Sequence, residues 1–235
     1  MTVFALDSAS KSAGVCILQD GRMVYHASLC RGLTHSETLL PLCDEAFRAA
    51  QITPADVDVF AAAAGPGSFT GLRIGLSTLK GLAFVHNTPC VCVSTLEALA
   101  LSQPCEGIVA AALDARRGEV YCAAFRVRDG VAERLFDDGA MPAAEFAARL
   151  DELDEPGVCA GDGAQLVCAH TERFRALPEA YRTDCALGAA LAAHREALAG
   201  RFVTSADCIP DYQRLSQAQR ERAAREAAQK KGVLT

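Results

Sequence analysis

Short apolar runs separated by turn residues open the chain, which is a strand pattern rather than a helical one. Residues 3–6 are apolar up to Asp7, and Ser8-Ala9-Ser10 marks a turn. Residues 15–18 predict a second strand and 23–29 a third, joined at Asp20-Gly21, where glycine accepts the positive φ of a tight hairpin. The period then changes. Leu39, Cys43, Ala46, Phe47 and Ala50 recur at helical spacing behind Thr34, which with Glu37 predicts a capping box. Pro41 lies inside this pattern and predicts a kink or a late start. Residues 57–63, apolar without interruption from Val59, read as a strand covered on both faces. The turn Gly65-Pro66-Gly67-Ser68-Phe69-Thr70-Gly71 leads into a helix over 70–86, a strand over 90–93, and a helix from Ser94 with Glu97 as a second capping box.

The same order then returns. Residues 108–113 form an apolar run ending Ala112-Leu113-Asp114, as the first ends Ala5-Leu6-Asp7. A strand over 120–125, the turn Asp129-Gly130 and a strand over 131–136 follow, then a helix over 142–150 with Pro142 at its first position. A short strand at 157–160 runs into Gly161-Asp162-Gly163, and a helix covers 186–198. A repeat with a period near 107 residues implies two similar lobes. The expected fold is therefore α/β, two-lobed in the manner of actin, Hsp70 and the sugar kinases, each lobe a mixed sheet with flanking helices.

Composition narrows the classes. The 235 residues are 51% hydrophobic and 22% charged, enough for a core that buries about 70–75% of the unfolded surface without a staple. A net charge of −6 argues against a dedicated nucleic-acid binder, and the absence of tryptophan leaves few stacking platforms for bases. Residues 211–235 carry +3 and read as a charged, alanine-rich helix. Eleven cysteines, most in apolar surroundings, contain no Cys-x-x-Cys, and Cys90-Val91-Cys92 has no second pair to complete a zinc site. They read as core thiols in a reducing compartment. The first residues lack a basic leader, and no apolar run reaches the ~18 residues of a membrane span, so a cytoplasmic location is expected.

The motifs exclude more chemistry than they supply. The glycine-rich turn is not Gly-x-Gly-x-x-Gly, a Walker loop or a Gly-x-Ser-x-Gly elbow. No His-Glu-x-x-His exists for a metalloprotease. In a two-lobed cleft the phosphate-holding candidates are Asp7 with Ser8 and Ser10, and Asp114 with Ala115-Arg116-Arg117-Gly118; the first turn is small enough for a phosphate, whereas the second carries two bulky arginines. In the helix after Ser68, Leu72, Leu76, Leu79 and Ala83 form an apolar stripe. Gly71, Gly75 and Thr78 form a small-residue stripe beside it, leaving Arg73, Ser77 and Lys80 as a polar face. That helix is covered on more than one side, by this chain or by a partner.

Together these segments resemble the bacterial TsaB family. The residues that carry the resemblance are Ala5-Leu6-Asp7-Ser8, His35-Ser36-Glu37 with Leu39-Leu40-Pro41, the block from Gly65 through Leu72-Arg73-Ile74-Gly75, Lys80-Gly81-Leu82-Ala83, Val93-Ser94-Thr95-Leu96-Glu97-Ala98-Leu99, and Leu113-Asp114 through Tyr121. Gly161-Asp162-Gly163 and Pro210-Asp211-Tyr212-Gln213-Arg214 are looser counterparts of the later landmarks. The resemblance implies a non-catalytic scaffold in the synthesis of threonylcarbamoyladenosine at position 37 of tRNAs reading codons that begin with A. The transferase chemistry would belong to its paralogue TsaD, and TsaE, an ATPase, would join them. It implies no resident cofactor or metal, indirect contact with tRNA through the complex, and a possible homodimer when alone. The implied partner face is His35, Leu39, Leu40, Cys43, Gly67, Ser68, Phe69, Gly71, Leu72, Arg73, Gly75, Leu76 and Leu79; the implied degenerate cleft is Asp7, Ser8, Asp114, Arg116, Gly161 and Gly163. The expected lobes are 1–103, completed by a C-terminal helix at 211–235, and 104–210. The alternative expectation is an autonomous ATPase or small-molecule kinase of the same fold, using Asp7 and Asp114.

Overall fold

The computed structural model describes residues 1–32, 34–181 and 183–213. The C-terminal helix expected over 211–235 therefore lies, from 214 onward, outside the described residues. The first sheet comprises β1 (Thr2–Asp7), β2 (Ala13–Gln19), β3 (Arg22–Leu29), β4 (Val59–Gly65) and β5 (Cys90–Ser94), in the order β3-β2-β1-β4-β5. The first three strands form an antiparallel meander, and β4 and β5 add parallel to β1. The second sheet comprises β6 (Gly107–Asp114), β7 (Glu119–Arg128), β8 (Val131–Pro142), β9 (Gly157–Ala160) and β10 (Phe174–Ala176). Its order, β10-β9-β6-β7-β8, is the same topology traced from the other edge. The repeat seen in the sequence is thus a structural repeat, with the two-lobed architecture expected of it. Both hairpin turns put two residues at positive φ, Asp20 and Gly21 in the first copy and Asp129 and Gly130 in the second, matching a type I′ turn.

Five layers stack from these parts. Helices α1 (His35–Ala50) and α2 (Phe69–Phe84) cover the outer face of the first sheet. Helices α3 (Thr95–Leu101) and α6 (Ala186–Leu198) fill the space between the sheets, and α4 (Ala143–Asp151) with α5 (Ala164–Cys168) covers the outer face of the second. Strand side chains alternate accordingly. Val3 and Ala5 of β1 join the central core, whereas Phe4 and Leu6 pack under α1, where Phe4 stacks on Phe47 at 4.5 Å between ring centroids. Each fully buried phenylalanine or leucine contributes about 1.5–3 kcal/mol, so the continuous apolar runs reflect sheets covered on both faces.

Several local expectations change. Thr34 makes no side-chain cap, so the first capping box does not form; the first turn is tied instead by the His35 ring, whose Nε2 lies 2.8 Å from the Ser10 carbonyl. Helix α1 runs through exposed Pro41 without a late start. Ser94 does cap α3, accepting from Glu97 N–H at 3.2 Å, but the Glu97 carboxylate turns to Arg195 at 2.6 Å rather than back to the cap. Pro142 ends β8 and precedes the first turn of α4. The lobes also interleave: α6, expected in the second, lies on β1, β2 and β4 of the first. The chain beyond it returns to the first sheet, where Val203 pairs antiparallel with Cys90.

Candidate functional site

Asp7 and Asp114 end the central strands of the two sheets, as their matching positions in the repeat require. Asp7 is buried. Its Oδ1 accepts from Ala9 N–H at 2.9 Å, while Oδ2 has no well-placed donor, the Cys185 thiol beside it being a weak one. Burial pushes the Asp7 carboxyl up to about 7, and the Asp184 charge adds to this, against the Ala9 hydrogen bond that lowers it. Asp114 is half-buried and turned into its own loop, accepting from Arg116 N–H at 2.7 Å.

The groups that would hold a phosphate are already engaged. Ser8 Oγ donates to the Gly71 carbonyl at 2.9 Å, Ser10 Oγ donates to the Thr183 carbonyl at 3.1 Å, and Ser12 Oγ donates to the same carbonyl. Arg116 and Arg117 stand at φ +68° and +60° in the second turn, a left-handed conformation costing about 1–2 kcal/mol each outside glycine. Gly161 and Gly163 serve packing: a Cβ on Gly161 would stand 1.9 Å from the Ala112 carbonyl oxygen, and one on Gly163 3.0 Å from Leu113. Asp162 between them accepts from Asp114 N–H at 2.8 Å and meets Lys11 Nζ at 3.3 Å, so an ion pair links the turns of the two lobes. Among the described residues no three carboxylate, imidazole or thiol groups converge as metal ligands.

The helical face divides in two. Leu39 and Cys43 of α1 and Leu72, Leu76 and Leu79 of α2 are buried in this chain's own core, so as contact residues for another molecule these five are corrected. An apolar stripe at helical spacing does not announce which partner covers it, and here it is the first sheet. The small-residue stripe is likewise internal. A Cβ on Gly67 would lie 2.5 Å from the Ala9 carbonyl oxygen, one on Gly71 2.0 Å from that of Ser8, and one on Gly75 2.6 Å from Ser8 Oγ. These glycines let the start of α2 lie directly on the β1–β2 turn, with Ser68 N–H donating to the Ala9 carbonyl at 2.7 Å.

What faces outward is different. Leu40 is 58% exposed and Phe84 73%, with Ser68, Thr70, Arg73 and Ser77 exposed and His35 and Phe69 half-buried. Phe69 stacks on Tyr212 with centroids 4.5 Å apart, and the Arg73 guanidinium lies 4.1 Å over the Phe69 ring while its Nε donates to the Tyr212 hydroxyl at 3.0 Å. Tyr212, Lys11, Asp162 and Thr183 adjoin these candidate sites but were not among the candidate site residues. Each joins its site from a distant part of the chain, and only the quoted Gly-Asp-Gly and Asp-Tyr-Gln segments hinted at two of them.

Residues 32–230 match the family described as TsaD, tRNA N6-adenosine threonylcarbamoyltransferase. The tRNA threonylcarbamoyladenosine biosynthesis protein TsaB of Bacillus subtilis is 28% identical over 228 residues, covering 93% of this chain and 96% of that protein. Its Escherichia coli counterpart is 31% identical over 169 residues, covering 70% and 73%. The solved structure of YeaZ from Pseudomonas aeruginosa superposes with a TM-score of 0.79 at 28% identity, covering 90% of this chain and 99% of that one.

Proposed function

The chain belongs to the TsaB family, within the machinery of tRNA threonylcarbamoyladenosine synthesis, and from that premise we propose that it is a cytoplasmic, non-catalytic subunit that supports the transferase TsaD. The observation that carries the reading is the state of the cleft. Ser8, Ser10 and Ser12 are bound to this chain's own carbonyls, and Lys11 with Asp162 spans the gap between the lobes. A phosphate would have to displace these bonds and then share space with Arg116 and Arg117.

The outer face of α1 and α2 supplies the docking surface in this reading. Leu40 gives an exposed apolar anchor, and the Phe69, Arg73 and Tyr212 cluster gives a rigid aromatic corner, its guanidinium held by stacking and a hydrogen bond. The buried stripe contributes by stiffness, holding that face on the first sheet. TsaD meets this surface, TsaE joins the pair, and tRNA is held mainly by the partners, consistent with a net charge of −6 here. Alone, the same surface supports a homodimer.

Capture by immobilised TsaD tests the reading. Wild-type chain is retained, and Leu40→Asp and Arg73→Glu weaken retention at least tenfold with folding unchanged. Equal retention of both variants would overturn the surface assignment. Tight binding of Mg-ATP to the isolated chain, abolished by Asp114→Ala, would instead favour an autonomous ATPase or kinase.

A further inference from the structure

Three of the eleven cysteines lie near the place where the C-terminal strap crosses the edge of the first sheet. After α6 the chain returns beside β5, with Cys90 N–H donating to the Val203 carbonyl at 2.9 Å and Val203 N–H donating back at 2.8 Å. A tight turn follows, closed by Asp207 N–H to the Thr204 carbonyl at 3.1 Å and by Thr204 Oγ1 to the Asp207 carboxylate at 2.6 Å. That turn places buried Cys208 in the same core as Cys90, its thiol donating to the Thr204 carbonyl at 3.6 Å, and brings its neighbours Asp207 and Ile209 to the cavity that Cys92 lines. Two residues apart on one strand, Cys90 and Cys92 share a face. Lys80 of α2 reaches the same turn, its Nζ donating to the Ala206 carbonyl at 3.2 Å.

We propose that Cys92 and Cys208 form a disulfide when the protein meets a hydroperoxide, fastening the 201–213 strap to β5. The division of labour follows from exposure. Cys92 is exposed and, with Cys90, lines a cavity of about 640 Å³ that also touches Phe202, Val203 and Asp207, so an oxidant reaches it first. Cys208 is buried between Asp207 and Ile209, which line that cavity, so it meets the oxidised Cys92 rather than the oxidant itself. The Cys92 sulfur attacks the peroxide; an S–O bond forms, the O–O bond breaks, and the departing oxygen takes the Cys92 proton to leave as an alcohol or water. The Cys208 sulfur then attacks the Cys92 sulfur, forming S–S, and the Cys208 proton leaves with the displaced hydroxyl as water. Two sulfurs are oxidised and one peroxide is reduced.

The consequence reaches the aromatic corner. Three residues past Cys208, Asp211 N–H donates to the Ala64 carbonyl at 2.8 Å, and Tyr212 stacks on Phe69. A bond at Cys208 therefore anchors the segment that holds this corner in place.

Hydrogen peroxide on the full chain, followed by thiol titration in denaturant and peptide mapping, tests the proposal. Titratable thiols fall by two from the eleven, a peptide linking Cys92 to Cys208 appears, and dithiothreitol removes it. Cys90→Ser keeps the link. Cys208→Ser loses it and leaves a Cys92 sulfenic acid that dimedone traps. The proposal is overturned by a full complement of thiols after peroxide, by a link that joins Cys208 to Cys90 instead of Cys92, or by loss of two thiols in Cys208→Ser.

Discussion

Replacing Asp7 with asparagine removes an ionisable group from a place that resists its charge. In the folded chain burial raises this carboxyl to about 7, with Asp184 adding to the effect, while in the unfolded chain it titrates near its ordinary 3.8. Between those values the folded state holds a proton that the unfolded state has released, so stability falls as pH rises. The stabilising contribution is complete below the unfolded value and lost as pH rises through about 7, a span equivalent to roughly 4 kcal/mol. About 2–3 kcal/mol of it falls between pH 5 and pH 8. Asparagine keeps the acceptor for Ala9 N–H and carries no charge, so Asp7→Asn is expected to be more stable than wild type at pH 8 by roughly 2–4 kcal/mol, with a much smaller difference at pH 5. Urea unfolding followed by far-ultraviolet circular dichroism measures this, since the chain has no tryptophan to report by fluorescence. Asp7→Asn less stable than wild type at pH 8, or an unchanged difference between the two pH values, would refute the reasoning.

Three further outcomes follow from the packing. Gly71→Ala places a methyl 2.0 Å from the Ser8 carbonyl oxygen and should cost about 1–3 kcal/mol in urea unfolding; a cost near zero would mean the β1–β2 turn yields freely. Leu72→Asp buries a charge in the core and should abolish cooperative unfolding, whereas Leu40→Asp should stay within about 0.5 kcal/mol of wild type. His26, whose Nε2 lies 2.7 Å from Asp184, has its pKa raised by that hydrogen bond; nuclear magnetic resonance should place it above 6.5, with a downward move in Asp184→Asn. The stability His26 contributes is present below 6.5 and lost as pH rises through its folded value, in the same direction as Asp7.

The strands were legible because both sheets are covered on both faces, which leaves continuous apolar runs such as Val59–Gly65 between clear turn signals. The repeat was legible because its two copies keep the acid and the Asp-Gly turn at matching places. Short elements escaped: β10 has three residues and α5 five, too few for any period to show. The position of α6 also escaped, since an alanine-rich helix fits against either sheet and only tertiary contacts decide. The same limit affected the candidate site. Leu72, Leu76 and Leu79 looked equally ready for a partner or a core, and the turn holding Ser8 against Gly71, which settles the matter, joins residues more than sixty positions apart.

Reconstituted tRNA modification tests the central claim most directly. The purified chain alone should form no threonylcarbamoyladenosine, and added to TsaD, TsaE and tRNA it should restore synthesis. Asp7→Asn and Asp114→Ala should restore it as well as wild type, while Leu40→Asp and Arg73→Glu should fail at concentrations where wild type saturates. Loss of synthesis with Asp114→Ala while binding to TsaD persists would contradict a scaffold and return the cleft to the chemistry.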